Sequence, residues 1–336
     1  MKNNSQNWMQ LSSMQISGAL SLPVIMTGYY LGLHYPPLMC LLLIFGGNGL
    51  LFLLALFYLK IINHRQMVTI ELAQLFMGPL GASLCAIGIT INLLGWSALQ
   101  IHSIVDALGN AIKLTPCLLL IIYLLSRKQL PTLGKVTQYL LPVTLCALLL
   151  MLCLQTTTAH PARTLSPLPL HTGLSLVLMV TAGAVFDLPT FFYRAASKKQ
   201  AIVSISIVFL LAIPLIEGIG VYMANHYLLA SDTHWMRAFV NHFNLSSKIF
   251  LLISGCIAIA LNVYSAGVVI NRVTGLSYQN ALVLICVVIG GIAFFDCEQF
   301  FVGYLEVINA FALLITGMIF VLALRREKNN ECNQRK

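Results

Sequence analysis

Asn92, Trp96 and Gln100 recur at i, i+4 and i+8 within one apolar run, which sets an indole and two amides on a single helical face. The indole offers a flat surface on which a planar ring can stack, and the amides offer donors and acceptors to that ring's edges. Interhelical hydrogen bonding and core packing are the plainer roles for the same three residues. Two carboxyls also lie inside apolar runs: Asp187, and Glu217 three residues after Pro214. A carboxylate at membrane depth is costly unless paired or protonated, so both are candidates for carrying a coupling proton. The alternatives are an interfacial cap near Arg194 for Asp187 and a pairing with an asparagine for Glu217. Glu306 with Asn309 is a lesser candidate, which could equally face an outer vestibule. Asn262, with Ser265 three residues further along the same face, adds an amide near mid-depth of another run. Asn48, in the string Phe45-Gly46-Gly47-Asn48-Gly49, reads as close helix packing.

Several chemistries are excluded. The nine cysteines form no C-x-x-C pair, so neither a disulfide framework nor a structural zinc is expected. His160, His171, His226, His234 and His242 fall at irregular spacings in or beside outer connections, and no metal is expected there. The chain has no G-x-x-x-x-G-K-[ST] string, hence no nucleotide-driven motor of that type. No metal pair or serine–lysine dyad stands out at helical spacing, so an enzyme is not expected.

These residues need elements to hold them, and composition says what kind. Of 336 residues, 59% are hydrophobic and only 9% charged, with a mean hydropathy of +0.88; too few charges exist to cover a soluble globule. The chain reads as an all-α polytopic membrane protein. Apolar segments run over 11–33, 36–60, 78–103, 107–125, 133–154, 171–194, 200–224, 248–272, 278–296 and 299–324, each long enough to approach the bilayer's hydrocarbon thickness. With the N-terminus inside, fifteen of the nineteen lysines and arginines fall on the cytoplasmic side, so ten spans with both termini cytoplasmic fit the positive-inside rule. The +9 balance is then a topology signal, and no nucleic-acid partner is expected. Lys113, near an outer span end, can snorkel to the interface.

Residues 1–10 form a cytoplasmic tail, 11–155 hold five spans, 156–170 an outer loop, 171–324 five more spans, and 325–336 a second cytoplasmic tail. An odd number of spans per half places the halves in opposite orientation, the arrangement of inverted-repeat transporters. The first span of each half carries a break signal. One reads Ser17-Gly18-Ala19-Leu20-Ser21-Leu22-Pro23, and the other Thr181-Ala182-Gly183-Ala184-Val185-Phe186-Asp187-Leu188-Pro189. Glycine and proline loosen the helical ladder, and backbone freed at that depth must line a protein-enclosed cavity. Ser21 and Gly183 are therefore substrate-site candidates alongside Asn92, Trp96, Gln100 and Asn262.

Three strings carry a resemblance. Asn92-Leu93-Leu94-Gly95-Trp96 is similar to the third span of the nucleobase:cation symporters of the cytosine permease kind. Thr181-Ala182-Gly183 through Phe192-Tyr193-Arg194 is similar to their sixth span. Asn262-Val263-Tyr264-Ser265-Ala266-Gly267, with Asn271 to Ser277, resembles the end of their eighth. The resemblance implies a five-plus-five inverted repeat of the LeuT type and uptake of a nucleobase or similar heterocycle, with Trp96 as the stacking residue. The chain departs from the family in three places. Leu178-Met179-Val180 stands where the family has a second ring, Cys256 to Leu261 where it has sodium-site hydroxyls and amides, and ten spans where its members usually have twelve.

The expectation is a secondary transporter of the inner (plasma) membrane, with a purine, a pyrimidine or a vitamin-precursor pyrimidine as small-molecule substrate. A proton or no ion is favoured for coupling over sodium, no cofactor is implied, and the sequence does not give the oligomeric state. The rivals are an amino-acid or amine carrier of the same fold and a substrate sensor without turnover.

Overall fold

The computed structural model describes residues 5–62, 67–109, 111–128, 130–153, 166, 168–226, 235–294 and 301–334, with the side chains at 62, 106–107, 111–112, 235–244, 301–303, 305–306, 309 and 326–334 outside that description. Its helices are α1 Trp8–Ala19, α2 Leu22–His34, α3 Pro37–Ile62, α4 Thr69–Leu108, α5 Ala111–Ser126, α6 Leu130–Cys153, α7 Leu170–Phe186, α8 Leu188–Phe192, α9 Lys198–Ile207, α10 Ile213–His226, α11 Trp235–Thr274, α12 Tyr278–Ala293 and α13 Phe301–Gln334. A π turn, Val208–Ala212, joins α9 to α10. Among the described residues the only strand-like pairing is that of Gln6 with Ala195.

Large apolar side chains face outward, with Leu38 71% and Leu80 74% exposed, while Asn48, Asn92, Asp187 and Glu217 are buried. That inversion of a soluble protein's pattern is what a lipid solvent selects. Five helical stretches are each long and apolar enough to cross a membrane: Pro37–Ile61, Thr69–Val105, Leu130–Cys153, Lys198–His226 and Leu245–Thr274. α1 and α2, bent by 61° at the break between them, are together long and apolar enough for a further crossing, and four shorter apolar helices accompany them. The chain is a multi-pass, all-helical membrane protein.

Several expected boundaries move. α4 is two helical stretches joined at Gly78 (φ 74°, ψ −172°), so the part running on through Pro79 begins where the third span is expected, and Thr69 to Met77 add a helical stretch ahead of it; the glycine admits a left-handed φ that other residues resist. α11 begins at Trp235 rather than 248, and α13 continues to Gln334, so helix extends through most of the segment expected as a tail. Polar residues keep a helix going once its apolar part is packed, and hydropathy alone cannot see that extension. α12 ends at Ala293 rather than 296.

α1 packs against α6, α9 and α11, while α2 lies along α10. Gly28 and Gly220 bring the α2 and α10 backbones into direct contact. The N-terminal strap is tied down as well. Gln6 N donates to the Arg194 carbonyl and Ala196 N to the Gln6 carbonyl, both at 2.8 Å, and the Gln6 amide reaches the Leu130 carbonyl at 3.2 Å.

Candidate substrate site between the helix breaks

The first break lies where the sequence expects it. α1 closes with Leu20 N on the Ile16 carbonyl and Ser21 N on the Ala19 carbonyl. Ser21 then turns extended (φ −126°, ψ 154°), and Pro23, whose ring suits a first helical turn, opens α2. The Ser21 hydroxyl makes no capping bond to α2. The second break falls one turn later than Gly183, at Asp187 (φ −95°, ψ 8°), whose N–H still bonds the Gly183 carbonyl. Gly183 itself is helical. Pro189 has no N–H to continue the ladder of α7, so α8 starts afresh beyond Asp187.

Between the breaks lies a cavity of about 110 Å³. α4 contributes Asn92, Leu93, Trp96 and Gln100 to its wall. The first break contributes Gly18, Ala19 and Ser21; α7 contributes Val180, Thr181 and Gly183; and Asp187, Phe191 and Asn262 complete it. All six sequence-selected substrate residues thus meet at one place. Two atoms there are unspent: Asn92 Oδ1 and Gln100 Oε1 are buried with no hydrogen-bond partner, although buried acceptors are nearly always satisfied. Trp96, between them on the same helix, is half-buried.

The two carboxyls separate. Asp187 borders the cavity, but hydroxyls surround it rather than the Arg194 guanidinium: Thr69 Oγ1 donates to Oδ1 at 3.3 Å, and Ser265 Oγ donates to Oδ2. Arg194 instead sits 5.1 Å from the centre of the Tyr193 ring. Glu217 is absent from the cavity wall. It is fully buried between helices, where Asn48 Nδ2 donates to its Oε2 at 2.7 Å. Asn48 is thus a buried hydrogen-bond donor as well as part of a small-residue packing string. The side chains of Glu306 and Asn309 lie outside the described residues, as do those of His160, His234 and His242. Among the described residues no cluster of three or more His, Cys, Asp or Glu could hold a metal, and the seven described cysteines are free.

Sequence reasoning missed Gln15, Thr181 and Phe191 in the cavity wall. Phe191 provides a second ring, carried from beyond Pro189 rather than from the stretch before Gly183. Thr69 and Thr190, which meet at 3.1 Å beside Asp187, were missed too, because Thr69 sits ahead of the expected third span. Tyr304 also bears on the site: its hydroxyl donates to the Ile91 and Asn92 carbonyls at 2.8 and 3.1 Å.

A helical membrane protein with two interrupted helical segments around one cavity has a fold found among solved transporters. Among the solved structures it is similar to are two of Mhp1, a nucleobase-cation-symport-1 family transporter. In a closed conformation with bromovinylhydantoin bound, Mhp1 aligns at 13% identity over 95% of this chain and 80% of that chain, with a TM-score of 0.72. In its inward-facing conformation it aligns at 12% identity over 95% and 78%, with a TM-score of 0.70. No family model matches the sequence, and no curated protein matches it. At such identities the likeness is one of fold.

Proposed function

We propose that this chain is a secondary transporter carrying a small planar heterocycle, of the purine, pyrimidine or vitamin-precursor pyrimidine class, by alternating access about the cavity between its helix breaks. The observation that carries this reading is the α4 face: an indole flanked by two buried amide oxygens without partners, the complement of a flat ring bearing N–H groups on its edges. The hydantoin bound by Mhp1 is a ligand of that kind.

The five long crossings, the bent pair and the four shorter apolar helices make ten spans in two oppositely oriented halves of LeuT type, set in the inner membrane with both termini cytoplasmic. A thiol-labelling map of single-cysteine variants is expected to place residues 195–199 inside; labelling from outside would overturn this topology. The purified protein is expected to melt later with nucleobases present, because a ligand that binds only the folded state stabilises it by mass action. A shift with amino acids and none with nucleobases would transfer the assignment to the amine class. Uptake of labelled nucleobase into proteoliposomes separates a carrier from a sensor.

Coupling is assigned to the two buried carboxyls, with a proton at Glu217. Its Oε1 and Asn48 Oδ1 are both buried without a partner, and a proton on the carboxyl removes an uncompensated charge from that dry contact. Glu217→Gln is expected to keep substrate binding while uptake loses its response to an inward proton gradient. An unchanged response would return Glu217 to a purely structural role.

A further inference from the structure

Beside the cavity, four buried side chains bring five oxygens and no nitrogen together. They are the two carboxylate oxygens of Asp187, and the hydroxyls of Thr69, Thr190 and Ser265. Their exposures are 4% for Asp187, 0% for Thr69, 1% for Thr190 and 0% for Ser265. The oxygens come from three places that only the fold unites: the start of α4, the break at Asp187 with α8 just beyond it, and the C-terminal half of α11. Tyr58 and Cys85 also approach Asp187, and neither is a cation in any protonation state. Among the described residues no lysine, arginine or histidine is bonded to the carboxylate, and the nearby pair Arg272–Glu71, at 3.3 Å, already satisfies its own charges. A buried carboxylate held only by neutral hydroxyls lacks a counter-charge, which its surroundings must otherwise supply.

We propose that Asp187, Thr69, Thr190 and Ser265 form a binding site for one monovalent metal cation of sodium's size at the break of the sixth span. Hard cations take oxygen ligands, and each hydroxyl can turn a lone pair inward. One carboxylate balances one positive charge. Magnesium requires near-ideal octahedral geometry and gives up its water reluctantly, and calcium wants six to eight oxygens, so a cage of five with a single anion suits neither. The site avoids the Cys256 to Leu261 stretch, which has no side-chain oxygen; it draws on Ser265 one turn further along and on two other elements. Because Asp187 borders the cavity, an ion held there lies next to the substrate. Only the ion's use in transport rests on the proposed function; its binding does not.

The test uses the full-length purified protein in detergent, with sodium chloride titrated against choline chloride at constant ionic strength. Melting temperature and bound radioactive sodium are read together. Wild type is expected to show saturable sodium binding with a matching rise in melting temperature. Asp187→Asn should abolish both, Ser265→Ala should weaken sodium affinity at least about tenfold, and Thr69→Ser, which keeps its oxygen, should preserve it. No sodium binding by wild type, or equal binding by wild type and a folded Asp187→Asn, overturns the site. A melting temperature that follows pH but not sodium assigns a proton to Asp187 and also overturns it. Nucleobase shifts measured in choline buffer report on the transport reading separately.

Discussion

Gly28→Ala is expected to lower stability by more than about 3 kcal/mol, at the upper end of overpacking effects. A Cβ on Gly28 would fall far inside contact distance of the Glu217 carbonyl oxygen, with the Glu217 carbonyl carbon and Cα at 2.6 and 2.9 Å. Gly220→Ala meets the same fate against the Ile25 carbonyl. The obstacle in both cases is helical backbone, which cannot step aside as a side-chain tip can, so α2 and α10 must separate along their shared length. Small residues at such contacts are what lets membrane helices approach closely. Gly218, two positions earlier on α10, has open space around its would-be Cβ. Gly218→Ala is therefore expected to be neutral or stabilising, by up to about 1 kcal/mol. The measurement is the fraction of monodisperse protein surviving graded heating in detergent. Equal midpoints for Gly28→Ala and Gly218→Ala would show that the two helices do not meet as described.

Trp96→Ala is expected to weaken nucleobase binding by about 1–3 kcal/mol, the range found when aromatic platforms under nucleic-acid bases are removed, while the melting temperature without ligand changes little. Trp96 is half-buried and borders the cavity, so its loss removes a stacking surface more than a core contact. Trp96→Phe keeps a smaller ring and should lose less. Asn92 and Gln100 lie one turn to either side, their amide oxygens unpartnered, so Asn92→Ala and Gln100→Ala should each discriminate against ligands by the N–H groups those ligands carry. Isothermal titration with adenine, cytosine and hydantoin would resolve these differences. Identical affinities for wild type, Trp96→Phe and Trp96→Ala would reduce the tryptophan to packing.

Much of this site is written locally in the chain. The i, i+4, i+8 face of α4 is a helical period, and the break at Ser21 follows from a serine and a proline within three residues; both act over one or two turns, so a reader of the sequence can place them. Asp187 was visible as an acid in an apolar run, but its partners were not. Thr69 lies 118 residues away and Ser265 lies 78 residues away, and no local pattern links them. Glu217 shows the same limit from the other side: its burial was readable and its removal from the cavity was not, because that depends on Asn48, 169 residues distant. The packing of Gly28 on Gly220 is a tertiary fact too, since either glycine alone reads as helix flexibility.

The π turn at Val208–Ala212 and the break at Ser21 interrupt two helical segments that pack along one another. α1 packs against α9 and α2 against α10, so the bend at Ser21 and the widened turn between α9 and α10 both divide the α1–α9 pair from the α2–α10 pair. An α-helix resists bending through its repeating ladder, and a turn of wider pitch interrupts that ladder without ending the helix. The two interruptions thus lie between the α1–α9 pair and the α2–α10 pair, whose backbones Gly28 and Gly220 hold in direct contact.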